Sequence, residues 1–156
     1  MERCSNQADI TAQADTTGGL VGRLEGILWE SYNTGNVASS GGNVGGLVGE
    51  HSVLSRAYKN IDGYSSKVMM PMRNCYNRGD VSGQTAGGIT GNILYPAVIN
   101  DSEYDPTAFY ENLYSTGTVT AGSGGAGGIV GSFAVSYYED DGEEVSFQFT
   151  GCFALG

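Results

Sequence analysis

Lysine and arginine are absent after Arg78, histidine occurs once, and proline occurs only three times in 156 residues. All seven basic residues (Arg3, Arg23, Arg56, Lys59, Lys67, Arg73 and Arg78) precede Gly79, whereas ten acidic residues follow it, so the net charge of −10 belongs to the second half. A surface of that sign repels phosphate backbones, and nucleic acid is not expected as a partner. The lone histidine, His51, excludes the zinc chemistries that need two or three nitrogen or sulfur ligands at short spacing, such as His-Glu-x-x-His. It follows the second Gly-Gly string directly and is expected at a solvent-exposed corner. No segment approaches the ~20 apolar residues that span a bilayer, so no membrane insertion is expected. The chain opens on polar sequence, and any export signal is expected to lie outside these residues.

Glycine is what the sequence has in excess, with 26 residues, over twice ordinary usage. The glycines recur at fixed places, which points to repetition rather than to a disordered linker. Gly-Gly-Leu-Val-Gly stands at 18–22 and again at 45–49, Gly-Gly-Ile-Thr-Gly at 87–91, and Gly-Gly-Ile-Val-Gly at 127–131. Ahead of the last three runs a small-Tyr-Asn-Thr-Gly-x-Val block, at 31–37, 75–81 and 113–119. A degenerate copy occupies 4–10, and a truncated one ends the chain at 152–156. The Val or Ile of each block precedes its Gly pair by 8, 8, 6 and 8 residues, while the Gly-Gly strings lie 27, 42 and 40 apart. The coil is therefore constant and the variation is an insertion at one corner.

These features predict an all-β fold, a right-handed parallel β-helix or β-solenoid with β-hairpin insertions. One domain is expected over 1–156, with repeats at 1–22, 23–49, 50–91 and 92–131 and a partial coil at 132–156. Each coil reads as three short strands: small-Tyr-Asn, x-Val-x and Gly-Leu-Val-Gly. Gly35, Gly79 and Gly117 are expected to turn the chain with positive φ. Leu20, Leu47, Ile89 and Ile129 should form one inner ladder, and Ile10, Val37, Val81 and Val119 a second. Tyr32, Tyr76, Tyr114 and Phe153 should stack, and Asn6, Asn33, Asn77 and Ser115 should form a polar ladder. Phe133, Val135 and Tyr137, then Asp141-Gly142, then Val145, Phe147 and Phe149 read as one hairpin, with a similar one at Asp62-Gly63.

The Tyr-Asn-Thr-Gly-x-Val block ahead of Gly-Gly-Leu-Val-Gly resembles the GLUG repeat, named for its Gly-Leu-aliphatic-Gly core, over nearly the whole chain. The resemblance implies a non-catalytic region of a secreted or wall-attached bacterial protein, as in adhesin-like proteins and immunoglobulin-A-cleaving metallopeptidases. It carries no catalytic residues. The first copy departs from the pattern, lacking Tyr and Gly, and so does Leu113 where Cys or Ser is expected.

Candidate chemistry is sparse. Cys4, Cys75 and Cys152 fall in one column two coils apart, ~10 Å at a strand spacing of ~4.8 Å, beyond disulfide reach. Three free thiols packed as small ladder residues are expected. The acidic side chains Asp101, Glu103 and Asp105 place oxygens at alternate positions, and Asp140 and Asp141 belong to a second acidic cluster; calcium is the ion these loops suit. The tyrosines Tyr32, Tyr76 and Tyr114 are the candidate ligand contacts, with host glycan, glycoprotein or neighbouring copies of the chain as partners. The alternatives are a carbohydrate-active β-helix enzyme, which needs two carboxylates on a groove, and a self-assembling fibre subunit.

Overall fold

The repeated segments form strands that pair only with their counterparts in neighbouring repeats. A computed structural model describes residues 1–53, 69–96, 107–136 and 146–156. Within them all regular structure is β-strand, with no helix. The first repeat gives β1 (Ser5–Asn6), β2 (Ile10–Ala12), β3 (Thr16–Gly18) and β4 (Val21–Glu25). The second gives β5 (Leu28–Trp29), β6 (Tyr32–Asn33), β7 (Val37–Ser39), β8 (Asn43–Gly45) and β9 (Val48–Ser52). The third gives β10 (Met69–Asn77), β11 (Val81–Gly83), β12 (Thr85–Gly87) and β13 (Thr90–Pro96). The fourth gives β14 (Thr107–Ser115), β15 (Val119–Ala121), β16 (Ala126–Gly127) and β17 (Val130–Ser136), and β18 (Ser146–Thr150) and β19 (Phe153–Ala154) follow.

Four parallel sheets result. The first runs β1-β6-β10-β14-β18, with β5 and β19 beside β10 and β14; the second is β2-β7-β11-β15, the third β3-β8-β12-β16, and the fourth β4-β9-β13-β17. The expected columns are the physical register: Ile10, Val37, Val81 and Val119 pair in turn, as do Gly18, Gly45, Gly87 and Gly127. Each repeat thus contributes to four sheets rather than three, the second repeat with two strands, β5 and β6, in the first of them. The strand of the additional sheet ends on the first glycine of the Gly-Gly pair and is short enough to read as a piece of a corner. The expected Phe133–Phe149 hairpin is also overturned. Its two arms, β17 and β18, lie in different sheets and run parallel to β13 and β14. The later strands of the first and fourth sheets are longer: β10 and β14 reach nine residues where β6 has two, and β13 and β17 reach seven where β4 has five. The expected turns at Asp141-Gly142 and Asp62-Gly63 lie outside the described residues.

Two apolar clusters form. The larger joins Leu28, Met72, Tyr110 and Leu113 of the first sheet to Leu24, Val48, Ile93 and Tyr95 of the fourth, with Leu47 and Ile89 between. The smaller joins Val37 and Val81 to Val44 and Ala86 of the second and third sheets. Burying each such aliphatic side chain contributes about 1.5–3 kcal/mol. Between the clusters stands the asparagine column. Asn6 Nδ2 donates to Asn33 Oδ1 at 2.8 Å, and Asn33 Nδ2 donates to Asn77 Oδ1 at 2.9 Å. Each amide also closes its own turn, with Nδ2 donating to the carbonyls of Ala8, Gly35 and Gly79 at 2.7, 2.6 and 2.7 Å. Asn33 thereby satisfies both of its amide hydrogens while fully buried, which is the condition for a polar group to stand in a core without cost.

The ladder stops at Ser115, whose Oγ is buried without a hydrogen-bond partner among the described residues. Gly88 stands opposite Ser115 as Gly46 stands opposite Asn77, so the space for an amide is there. Ser115→Asn is expected to add one bond from Asn77 and one to the Gly117 carbonyl, stabilising the fold by about 1–2 kcal/mol. A urea midpoint unchanged or lowered in the variant would refute this.

Gly35, Gly79 and Gly117 do not have positive φ; among the described glycines only Gly26 and Gly151 do. The reason for glycine is contact. A Cβ on Gly79 would overlap the Gly35 carbonyl, and one on Gly117 would overlap the Gly79 carbonyl. Positive φ falls instead on a column that sequence reasoning missed: Arg3, Glu30, Asn74 and Asn112, with φ of 51–53°, and then Gly151. Each is an extra residue in the first sheet that shifts the in–out alternation by one. Met72 and Cys75 consequently both point inward although three positions apart, and Tyr76 points out. The small residue after the kink donates to the carbonyl before it: Cys4 to Glu2, Ser31 to Trp29, Cys75 to Arg73 and Cys152 to Thr150, at 3.5, 2.7, 3.1 and 3.5 Å.

Candidate functional site

The kinks place one continuous aromatic row on the outer side of the first sheet. Tyr32 stacks on Tyr76 with centroids 4.9 Å apart and planes 3° from parallel; Tyr76 stacks on Tyr114 at 4.9 Å and 7°. Phe153 extends the row at 5.3 Å and 4°. Parallel in-register pairing sets this spacing, because each ring is held one strand from the next. The three tyrosines are half-buried; neighbouring rings cover both faces of Tyr76 and Tyr114 and one face of Tyr32. What they present is ring edge and hydroxyl, and none of the three hydroxyls has a partner among the described residues.

Beside this row lies a second column, Trp29, Arg73 and Glu111, paired in register. The Arg73 guanidinium lies over the Trp29 ring, Cζ 3.8 Å from the centroid, and its Nε is buried without a hydrogen bond. Arg78, exposed just beyond β10, stands 5.3 Å from the Tyr76 centroid. Nearer the start of the sheet, Arg3 binds Glu30 at 2.9 Å and Glu2 at 3.7 Å. Neither Arg73 nor Arg78 forms an ion pair with a described residue.

The candidate ligand contacts Tyr32, Tyr76 and Tyr114 are thus brought together. The candidate calcium ligands Asp101, Glu103, Asp105, Asp140 and Asp141 all lie outside the described residues, and among the described ones no three His, Cys, Asp or Glu side chains group to hold a metal. No helix of the described residues is long and apolar enough to cross a membrane. A shallow notch beside β15, β16 and β19 is lined by Gly117, Val119, Gly127, Ala154 and their neighbours, none of them ionisable.

The cysteines are free, as their spacing implied. Burial pushes the Cys75 thiol up to about 11, only partly offset by hydrogen bonds at the backbone of Ser31 and Arg73, so it is held as a thiol rather than a nucleophilic thiolate. Burial also raises Cys152.

His51 departs most from expectation. It is fully buried, not at an exposed corner. It shares an inward column of the fourth sheet with Leu24, Ile93 and Phe133. Nε2 lies 2.9 Å from the Gly26 carbonyl and Nδ1 3.1 Å from the Tyr110 hydroxyl. A carbonyl can only accept, so Nε2 carries the proton and Nδ1 accepts from Tyr110. Both nitrogens are engaged in the core and neither reaches the tyrosine row.

Comparison with known proteins finds no matching family model, no matching curated protein and no matching solved structure.

Proposed function

We propose that the chain is a right-handed β-solenoid and a non-catalytic, extracellular repeat module of a bacterial surface protein, which holds its tyrosine row toward host glycan or glycoprotein. The carrying observation is the set of three hydroxyls on Tyr32, Tyr76 and Tyr114, free of partners among the described residues and held at strand spacing by ring stacking. A polyol offers donors and acceptors to such a row at no cost in protein ordering, because the stack fixes the rings before any ligand arrives. The resemblance to GLUG repeats supports the extracellular setting, and an acidic, lysine-poor second half suits a soluble exported surface. Calcium is the proposed ion for the acidic segments around Asp101 and Asp140.

The test is a glycan array with the whole chain and with the triple variant Tyr32→Phe, Tyr76→Phe, Tyr114→Phe. The variant keeps the stack and loses only the hydroxyls. Binding by the native chain, lost in a variant that melts at the same temperature, is the expected result. Retention of binding by the variant, or release of new reducing ends from a bound glycan, would overturn the reading.

A further inference from the structure

We infer that the face carrying the tyrosine row takes an acidic linear glycan, its carboxylate or sulfate groups held by Arg73 and Arg78. This rests on the glycan-binding reading above and adds the charge of the ligand to it. Four cationic side chains lie among the described residues. Arg3 is bound to Glu30 and Glu2, and Arg23 to Glu25 and Glu50. Arg73 and Arg78 alone of the four form no ion pair with a described carboxylate, and both flank Tyr76 on one strand and its exit.

Arg73 is also oriented, with its Cζ 3.8 Å from the Trp29 centroid, while Arg78 lies 5.3 Å from the centroid of Tyr76, whose two faces Tyr32 and Tyr114 cover. A guanidinium held against a ring keeps its N–H fork in the plane, the arrangement that receives a carboxylate or sulfate through two parallel bonds. Glu111, the cross-strand neighbour of Arg73, does not occupy that fork with an ion pair. After Gly79 the sequence holds ten acidic residues and no lysine or arginine, so Arg73 and Arg78 are the last cationic side chains that an anionic ligand could use.

Length follows from spacing. Arg73 and Arg78 are five residues apart, across the kink at Asn74 and the end of β10, a chain span of at most roughly 15 Å. One carboxylate cannot reach both, and an oligomer bearing repeated charges can. Single-stranded nucleic acid also offers repeated charges, but it binds by stacking bases on free ring faces. Here neighbouring rings cover both faces of Tyr76 and Tyr114 and one face each of Tyr32 and Phe153.

The experiment measures binding of the whole chain to immobilised oligogalacturonate, its methyl ester, a sulfated dextran, unmodified dextran and a single-stranded DNA oligomer. Binding to either acidic glycan, falling as salt is raised, supports the inference, and the preferred polymer names the anion. Arg78→Gln and Arg73→Gln are each expected to weaken that binding about tenfold, the worth of one charge-assisted bond, while Arg23→Gln leaves it unchanged. Arg73→Lys, which keeps the charge and loses the planar fork, is expected to weaken it too, and a melting curve confirms that each variant is folded. Equal binding of acid and ester, an unchanged Arg78→Gln, or preference for DNA overturns the acidic-ligand inference while leaving the tyrosine-row reading to the array. Failure to bind any glycan overturns both.

Discussion

Gly46→Ala is expected to cost about 3 kcal/mol, a large fraction of the 5–15 kcal/mol that typically holds a domain folded. The penalty is steric. A Cβ on Gly46 would overlap the Gly88 carbonyl of the next repeat and the Asn77 side chain. Neither neighbour can retreat. Gly88 donates its N–H to Gly127 at 3.0 Å, and Gly46 donates its own to Gly87 at 3.1 Å, so the glycine backbones are fixed from both sides. Asn77 is held by Asn33 and by its own turn through Gly79. Accommodating the methyl group would push adjacent repeats apart locally and break the buried amide ladder, leaving donors unpaired in a dry interior. The entropy that alanine removes from the unfolded chain returns only about 0.4–1 kcal/mol. Gly26→Ala is the comparison. Gly26 has φ of 143° and, among the described residues, nothing within 4 Å of an added Cβ, so its cost is chiefly conformational, about 1–3 kcal/mol. Urea unfolding of the three proteins separates the causes. A Gly46→Ala midpoint close to that of the native chain would show that the repeats are not packed through their glycines.

The same glycines show what could be read from the sequence and what could not. Self-similarity alone placed Gly46 opposite Gly88, because identical strings at comparable offsets have to pair with one another if they pair at all. The leucine, valine, tyrosine and asparagine columns followed from the same alignment. Local chemistry was less informative. Gly79 reads as a left-handed turn residue, yet the Asn77 side chain makes that turn and the glycine is there for the Gly35 carbonyl behind it. Only a stacked neighbour supplies that reason, and a single repeat does not contain it. The phase-shifting column was present in the alignment as Arg3, Glu30, Asn74, Asn112 and Gly151. Two asparagines and a glycine are the signal of a left-handed residue, obscured by the arginine and glutamate above them. The Phe133–Phe149 hairpin failed because alternation fixes which side of a strand is buried and not which strand lies beside it. Phe133 and Phe149 do meet, with centroids 6.1 Å apart, but as exposed side chains of two different sheets. For the candidate site, the tyrosine row was legible, whereas the stacking of Arg73 on Trp29 depended on the unrecognised kinks at Glu30 and Asn74.

Stability is expected to fall by roughly 3 kcal/mol as pH drops from about 6.5 to about 4, through His51 alone. Two positions after the closing glycine of each motif stand Leu24, His51, Ile93 and Phe133, so the histidine occupies an apolar position of the larger core. Burial lowers its pKa from 6.5 to about 4, an effect the Gly26 hydrogen bond only partly offsets. Above pH 6.5 the ring is neutral in both folded and unfolded chains, and the group adds no pH dependence. Between 6.5 and 4 the unfolded chain takes up a proton that the native chain refuses, so the balance shifts toward unfolding with each step down in pH. Below about 4 the native ring is protonated as well and the loss levels off. Protonation also reverses the role of Nδ1, which accepts from Tyr110 in the neutral form and has no acceptor facing it in the charged form unless that hydroxyl turns. His51→Phe matches the residue that Phe133 supplies to the same column. It is expected to be less stable than the native chain at pH 7, having left the Tyr110 hydroxyl and the Gly26 carbonyl without the imidazole. Its stability should also fall less steeply with acid, so that the two proteins converge near pH 4. Carboxylates protonate in both and cancel in the difference. Urea midpoints at half-unit steps from pH 7 to 4 give the comparison directly, and parallel profiles for the two proteins would mean that His51 is not the proton-sensitive group of this core.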